Sequence, residues 1–339
     1  MLAVASVVDL DQHVTRSRHP ERRERLPAAV GGVLDAGLGD SIVQVANVPA
    51  TIDEVARVHD RPYLERLRSF CEAGGGSIDP DTDASPGSWS TALAAAGAGL
   101  ATIATLDRGE ARAGFVLVRP PGHHALADRS MGFCLLNNVA VAAASLTARG
   151  ERVLIIDWDV HHGNGTQAMF WNDPNVLFVS SQLVGHWPFS GGVNETGGDA
   201  APGKTINFPL PHGATGDVLL RGLDEVVAPA AEDFKPTWVL ISAGFDSHRD
   251  DPLGGLGFST GDFALFTRRI QEFVGVPSRT VLFLEGGYDL HALRTSVTAT
   301  VSALLDTSNA NEAPTGGGPG RDVIVAAGEA QRVAKRRVD

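Results

Sequence analysis

The chain is short of cysteine, of tyrosine and of positive charge. Its 339 residues include 2 Cys and 2 Tyr, and 28 Lys and Arg stand against 40 Asp and Glu, a formal net charge of -12. Cys71 and Cys134 lie far apart, so neither a disulfide framework nor a Cys-based zinc motif can be built from them. Thiols without partners fit a reducing compartment, and a cytoplasmic location is expected. An acidic surface repels phosphate, which argues against direct nucleic-acid binding. It suits a cationic substrate, although solubility alone also explains it. No apolar run approaches the roughly 20 residues that cross a bilayer, so no membrane span is expected. Met1 to Val8 is apolar but short, lacks a basic leader and runs at once into Asp9 and Asp11. It reads as a first strand, not a signal peptide.

Five short runs rich in β-branched and aliphatic residues are Gly114 to Val118, Val153 to Ile156, Val176 to Ser180, Trp238 to Ser242 and Thr280 to Leu284. Each is nearly continuously apolar, as a strand covered on both faces must be. Between them lie Ala- and Leu-rich stretches with helical spacing: Ser90 to Asp107, Asn137 to Ala148, Val218 to Ala231 and Thr260 to Val274. The alternation predicts a single-domain α/β fold, a parallel sheet with helices on both faces. A catalytic domain is expected over residues 1–310. After it come a Gly/Pro break and a C-terminal helix or tail over 311–339. The segment Ser181 to Gly216, rich in Gly and Pro, reads as an ordered surface loop that shapes a pocket.

Open parallel sheets place their sites beyond the carboxyl ends of the strands. Four polar clusters obey that rule. In Asp157-Trp158-Asp159-Val160-His161-His162-Gly163-Asn164-Gly165, residues two apart point to one side, so Asp157, Asp159 and His161 converge. Carboxylates and imidazole are ligands for hard to borderline metals. Helix-capping Asp residues in a loop would look the same. Asp246, in Ala243-Gly244-Phe245-Asp246-Ser247-His248, can complete three protein ligands and leave a position for water. Arg119-Pro120-Pro121-Gly122-His123-His124 holds two imidazoles on a stiff backbone, and His is the usual proton carrier near neutral pH. In Glu285-Gly286-Gly287-Tyr288, glycines set a phenol beyond its strand, where it can donate to a developing oxyanion or simply pack.

Together these clusters resemble the histone deacetylase superfamily, which includes bacterial acetylpolyamine amidohydrolases. Further matches, in the family's order, are His19-Pro20-Glu21-Arg22, Asp79-Pro80-Asp81-Thr82, Gly132-Phe133-Cys134-Leu135-Leu136-Asn137-Asn138 and Asp251-Pro252-Leu253-Gly254. The details around Asn164, Asp246 and Glu285 are similar to the class II branch.

The resemblance implies an arginase/deacetylase-type fold and a metal-dependent amidohydrolase acting on an acetylated lysine peptide or a small acylated amine. It implies Zn(II), or Fe(II) in the cell, on Asp159, His161 and Asp246. It makes His124 the general base oriented by Asn164, His123 its neighbour oriented by Asp157, and Tyr288 the oxyanion donor. Asp157 and Ser180 match positions around a structural potassium ion. Gly132 and Phe133 match the wall of the substrate tunnel, Asp81 and Leu253 its substrate-contacting rim, and Arg25 an inner cavity near the released acid. Because Asn fixes a tautomer and Asp favours the cation, His124 is expected to start neutral and His123 to carry more positive charge.

Three positions depart from the pattern. Arg23 replaces a Pro. Trp187-Pro188-Phe189-Ser190-Gly191-Gly192 lacks the usual aromatic-Pro-Gly-Thr-Gly, so either Phe189 supplies the second tunnel aromatic or Ser190 leaves that wall open. Lys204 falls near where some members hold a second potassium. The competing readings are a two-manganese ureohydrolase, which would carry a further Asp two residues beyond His161, and a silent acyl-amine binding module, which would lack a ligand or the Tyr. A homo-oligomer is compatible with all of these.

Overall fold

The computed structural model of the chain describes residues 1–6, 12–275, 279–307 and 309–336. Among the described residues ten strands form: β1 (Leu2–Ser6), β2 (Ile42–Gln44), β3 (Gly76–Ser77), β4 (Asp83–Ala84), β5 (Ala113–Leu117), β6 (Val153–Asp157), β7 (Val176–Leu183), β8 (Thr205–Leu210), β9 (Trp238–Ala243) and β10 (Thr280–Leu284). Eight of them build one parallel sheet in the order β2-β1-β5-β10-β9-β6-β7-β8, and β3 with β4 makes a small hairpin. The five apolar runs are therefore β5, β6, β7, β9 and β10. The first strand ends at Ser6; Val7, Val8, Asp9 and Asp11 lie outside the described residues.

All residues of β5, β6, β9 and β10 are buried. Alternate residues feed two cores. Phe115, Leu117, Leu154, Ile156 and Leu282 face one layer of helices, and Val116, Val153, Ile155, Leu240 and Phe283 face the other. That is the signature of a sheet covered on both sides. A third apolar cluster, with Tyr63, Leu64 and Leu67 on the helix Arg61–Glu72, supports Leu135 and Leu136 beside the site.

The four strands that deliver polar clusters are neighbours, β5-β10-β9-β6, at the centre of the sheet. Their register aligns Leu284 with Ala243 and Asp157 with Ser242, so all four carboxyl ends open onto one edge. At about 4.8 Å between strands, that edge is roughly 15 Å wide, the size of a small-molecule site.

Three expectations change. The segment Ser181 to Gly216 is not all loop: β7 runs on to Leu183, and Thr205–Leu210 pairs with it as β8, Phe178 opposite Thr205. Pro209 is tolerated because β8 is an edge strand. The helix Arg321–Lys335 covers that edge, Gln331 Nε2 donating to the Thr205 carbonyl 2.6 Å away. The stretch Val218 to Ala231 is helical but is interrupted by a π turn over Leu223–Val227. Pro229 follows that turn, lacks an N–H and crowds the preceding carbonyls. The helix Ser88–Asp107 has 20 residues and is apolar enough to cross a membrane by length and composition, more than the sequence reading allowed. Its most apolar window is 67% buried here, and Ala94, Ala95, Ala98 and Ile103 pack into the second core.

Candidate active site

Asp159 and His161 leave the end of β6, and Asp246 the end of β9. One ligand atom from each lies within 4.8 Å of the others, and all three residues are buried. His161 Nδ1 sits 3.0 Å from Asp159 Oδ1 and 3.1 Å from Asp246 Oδ2. Backbone amides orient the acids: Gly286 N–H donates to Asp159 Oδ2 at 2.8 Å, and Val160 N–H to Asp246 Oδ1 at 2.9 Å. A Cβ at position 286 would overlap the Asp246 carboxylate and lie 2.6 Å from Asp159 Oδ2, so only glycine leaves this space. Burial and the neighbouring Asp159 charge push the Asp246 carboxyl up to about 7. Burial opposes protonation of His161, but Asp159 and Asp246 outweigh it and raise the imidazole to about 10. Two like charges buried around one imidazole call for a cation. The two carboxylates and one imidazole fit a divalent ion with an open position.

His123 and His124 follow β5, their rings 3.9 Å apart. His123 Nδ1 lies 2.8 Å from Asp157 Oδ2, and His124 Nδ1 2.8 Å from Asn164 Oδ1. Burial pulls both imidazoles down. For His123 the Asp157 and Asp159 carboxylates win and hold it well above its ordinary value. For His124 the cationic neighbours His123 and His161 add to burial and hold it well below. One ring is therefore charged and the other keeps a lone pair.

Tyr288 lies just before the helix Leu290–Leu304, whose first N–H groups are capped by Asp289. The Tyr288 ring meets Phe133 edge-on with centroids 6.0 Å apart, and the Arg25 guanidinium lies 5.0 Å from its centroid. Burial and the Asp246 charge raise the phenol well above its ordinary value, so it stays a donor. Arg25 is fully buried. It donates to the Gly287 carbonyl at 2.6 Å, to Glu21 Oε1 at 3.0 Å and to the Glu285 carbonyl.

Gly132 and Phe133 have φ of +57° and +68°. They form the centre of a two-residue turn closed by Met131 and Cys134, for which positive φ at both positions is required. The turn projects Phe133 toward Tyr288. The aromatic of the 186–192 loop that faces the histidines is Trp187, not Phe189. Trp187 lies edge-on to His124 with centroids 4.7 Å apart, whereas Phe189 is turned outward and is 77% exposed. The loop is anchored on its far side: Ser190 Oγ is bonded to His162 Nδ1 at 2.8 Å and the Gly191 carbonyl to Gln182 at 2.6 Å, while Trp187 packs on His124. A Cβ on Gly132 would overlap Trp187 and come 2.6 Å from His124 Cδ2.

Asp81 stands beside this wall. Its carboxylate accepts from Thr82 Oγ1 at 3.0 Å, and Thr82 Oγ1 in turn takes the Phe133 N–H at 3.1 Å. Leu253, half-buried, is held by its N–H to Asp251 Oδ1 at 3.0 Å. Ser180 pairs in register with Asp157, and its Oγ is buried without a partner. An orphaned hydroxyl beside a buried carboxylate fits a monovalent cation held by oxygens. Lys204 lies 4.9 Å from the Phe234 ring centroid, away from these groups.

Two positioning carboxylates carried no assigned role in the sequence reading. Glu285 accepts the N–H groups of Gly122 at 2.7 Å and His123 at 3.1 Å, tying the histidine loop to the tyrosine loop. Asp251 Oδ2 accepts from Tyr288 N–H at 2.6 Å. Both residues stood inside recognised motifs, so the signal was their type; their partners lie 163 and 37 residues away.

The histone deacetylase domain family matches residues 19–304. The chain is 39% identical over 317 residues to histone deacetylase 10, chloroplastic, of Oryza sativa, covering 86% of this chain and 70% of that protein. It is 37% identical over 284 residues to a probable deacetylase of Archaeoglobus fulgidus, with coverages of 82% and 79%. It is 37% identical over 275 residues to the histone deacetylase-like amidohydrolase of Pseudomonas aeruginosa, with coverages of 79% and 71%. The crystal structure of the HDA15 HD domain superposes with a TM-score of 0.89 at 31% identity, covering 99% of this chain and 97% of that one.

Proposed function

We propose, from the premise that this chain belongs to the histone deacetylase family and is a hydrolytic deacetylase, that it cleaves acyl-lysine in peptides with one catalytic zinc ion. The observation that carries the reading is the meeting of three buried ligands with a neutral imidazole, His124, and a protonated phenol, Tyr288. Asp159, His161 and Asp246 would hold the ion, and bound there it would polarise the acyl carbonyl and activate a water. The same donors would accept Fe(II), which metal analysis distinguishes.

The chain's own groups do the rest. His124 gives its Nδ1–H to Asn164, so its Nε2 lone pair takes a proton from the attacking water and later returns one to the leaving amine. His123, kept cationic by Asp157, adds positive charge beside the carbonyl. Tyr288 donates its phenolic proton in a hydrogen bond to the oxygen as negative charge builds. Phe133 and Trp187 exclude bulk water from the passage. Arg25 fixes the Gly287 carbonyl and so the loop that carries Tyr288. Asp157 and Ser180, with nearby backbone carbonyls, would hold a potassium ion, which would stiffen the loop between β6 and His161.

Leu253 argues for peptides. The resemblance places Glu at this position in polyamine-selective relatives, where it pairs with a distal ammonium. Leu leaves that charge without a partner. The test is kcat/KM for acyl-lysine peptides against acetylspermidine and acetylputrescine in one buffer, with Leu253→Glu alongside. Peptides are expected to be preferred, and Leu253→Glu to move preference toward polyamines. A tenfold or greater preference of the parent for acetylpolyamines would overturn the substrate reading.

A further inference from the structure

Away from the catalytic groups lies a cavity of about 320 Å³ that the reaction does not use. Its sides come from the helix Arg61–Glu72, from Ser77 and Ile78, and from residues 128–130. Leu67 and Phe70 supply apolar wall from the helix, and Ile78 closes it from the opposite side. Phe70 and Ile78 are only half-buried, so apolar surface is left facing the cavity. The floor is built: the Tyr63 hydroxyl lies 2.6 Å from Ser130 Oγ and donates to the Leu135 carbonyl.

The rim is cationic in a chain of net charge -12. Arg66 and Arg129 are exposed and line the cavity, with Asp128 as the carboxylate between them. Their neighbours Arg61 and Arg68 pair with Asp53 and Glu72, whereas Arg66 gives one N–H to the Asp128 carbonyl at 3.1 Å. Among the described residues, neither Arg66 nor Arg129 takes part in an ion pair. Guanidinium forks with spare donors beside an apolar wall recognise a carboxylate next to a hydrophobic side chain.

The cavity and the tunnel share their chain segments. Ser130 is three residues from Phe133, and Ile78 three from Asp81, so the cavity lies within roughly 11 Å of backbone from the tunnel wall. An extended peptide covers that distance in about three residues. We propose that this cavity is a specificity subsite for a peptide substrate, taking a hydrophobic side chain with an adjacent Asp or Glu about three residues from the acyl-lysine. The inference rests on the acyl-lysine peptide reading. A polycationic substrate would meet Arg66 and Arg129 as repulsion.

The test uses the metal-loaded full chain and three kinds of probe: capped acetyl-lysine without flanks, acetyl-lysine heptapeptides with Gly and Ser flanks, and heptapeptides carrying Leu-Glu at each offset. One offset is expected to raise kcat/KM about tenfold through KM, the scale of one well-placed contact. Arg129→Glu should abolish that gain and leave capped acetyl-lysine within about twofold of the parent, since the residue is exposed and outside the tunnel. Arg66→Glu should act in the same direction. A flat offset scan, or a gain that survives both reversals, overturns the subsite. If 3-phenylpropionate changes turnover of capped acetyl-lysine while the scan stays flat, the cavity is a small-acid effector site and the peptide proposal is wrong. Absence of turnover on capped acetyl-lysine and on every peptide overturns the underlying function instead.

Discussion

His124 Nδ1 lies 2.8 Å from Oδ1 of Asn164, an amide where its neighbour His123 has the carboxylate of Asp157. The two adjacent imidazoles therefore differ in charge through their partners as well as their burial. An amide oxygen accepts the Nδ1 proton without rewarding a second proton at Nε2; a carboxylate does reward it.

With His124 as the proposed base, this relationship is expected to set the pH profile. The base must be neutral, and His124 is held below its ordinary value, so the ascending limb of kcat/KM should fall below about pH 6.5. Asn164→Asp places a carboxylate on Nδ1 and raises the imidazole, so that limb should move alkaline by about one to two units. His124→Ala should cost more activity than His123→Ala. A dead His123 variant beside a nearly intact His124 variant would reverse the two roles.

Tyr288→Phe keeps the ring between Phe133 and Arg25 and removes the donor. A loss of roughly two to three orders of magnitude in kcat is expected, the scale of one oxyanion donor. Hydroxamate binding, measured by calorimetry, should persist because it depends on the metal ligands. Unchanged kcat would make Tyr288 a packing residue.

Asp246→Ala should strip the cation. Elemental analysis of the parent should give about one transition metal per chain, and the variant far less. Because the cation-free Asp246 carboxyl sits at about 7, protons compete with metal below that pH, and measured metal affinity should fall as the solution is acidified through neutrality. Adding metal to stripped parent should raise Tm by relieving repulsion between Asp159 and Asp246. Full turnover after exhaustive chelation would remove the metal mechanism.

Gly132→Ala tests the passage. The new methyl meets Trp187 and His124, on a backbone at φ +57° that disfavours a side chain. We expect a drop in kcat/KM of about tenfold or more together with a stability loss of about 1–2 kcal/mol. Trp187→Ala in the same chain should recover part of the activity if the clash, not the fold, is responsible.

His59 governs acid stability outside the site. Its Nδ1 donates to the Leu126 carbonyl at 3.0 Å, while Nε2 accepts the Asn137 N–H at 2.9 Å, so only the neutral ring fits. Burial lowers it to about 4 from an ordinary 6.5. The unfolded chain therefore binds the extra proton between those values. The stabilisation is complete above about pH 6.5 and is lost as pH falls toward 4, by about 3 kcal/mol at most. His59→Gln should flatten the urea-measured stability slope in that window by close to one proton. An identical slope in parent and variant would show that other groups set it.

Much of this protein was legible from the sequence by itself. The runs that became β5, β6, β7, β9 and β10 are short, nearly continuous β-branched and aliphatic residues, the pattern of a doubly covered strand. Strand alternation predicts that Asp157, Asp159 and His161 converge; Asp159 and His161 do meet, but in a bend beyond the end of β6, while Asp157 turns to His123 instead. Residue type pointed to the chemistry proposed here: carboxylate and imidazole for a cation, paired histidines for proton transfer, a tyrosine on glycines for an oxyanion. What the tertiary structure alone decided concerns partners distant in sequence. Strand order made β5, β10, β9 and β6 neighbours and put Asp246 beside Asp159. β8 was hidden by Pro209 and the surrounding Gly and Pro, and its pairing rests on β7 and a helix more than a hundred residues away. In the loop at 186–192 the sequence pointed to Phe189 or to an open wall at Ser190, and not to Trp187. Trp187 faces His124 and Phe189 faces solvent, while Ser190 is tied to His162 and Gly191 to Gln182. In a loop without periodicity, the inward residue is chosen by such anchors, and a hydrogen bond across 28 residues leaves no local signature in the chain.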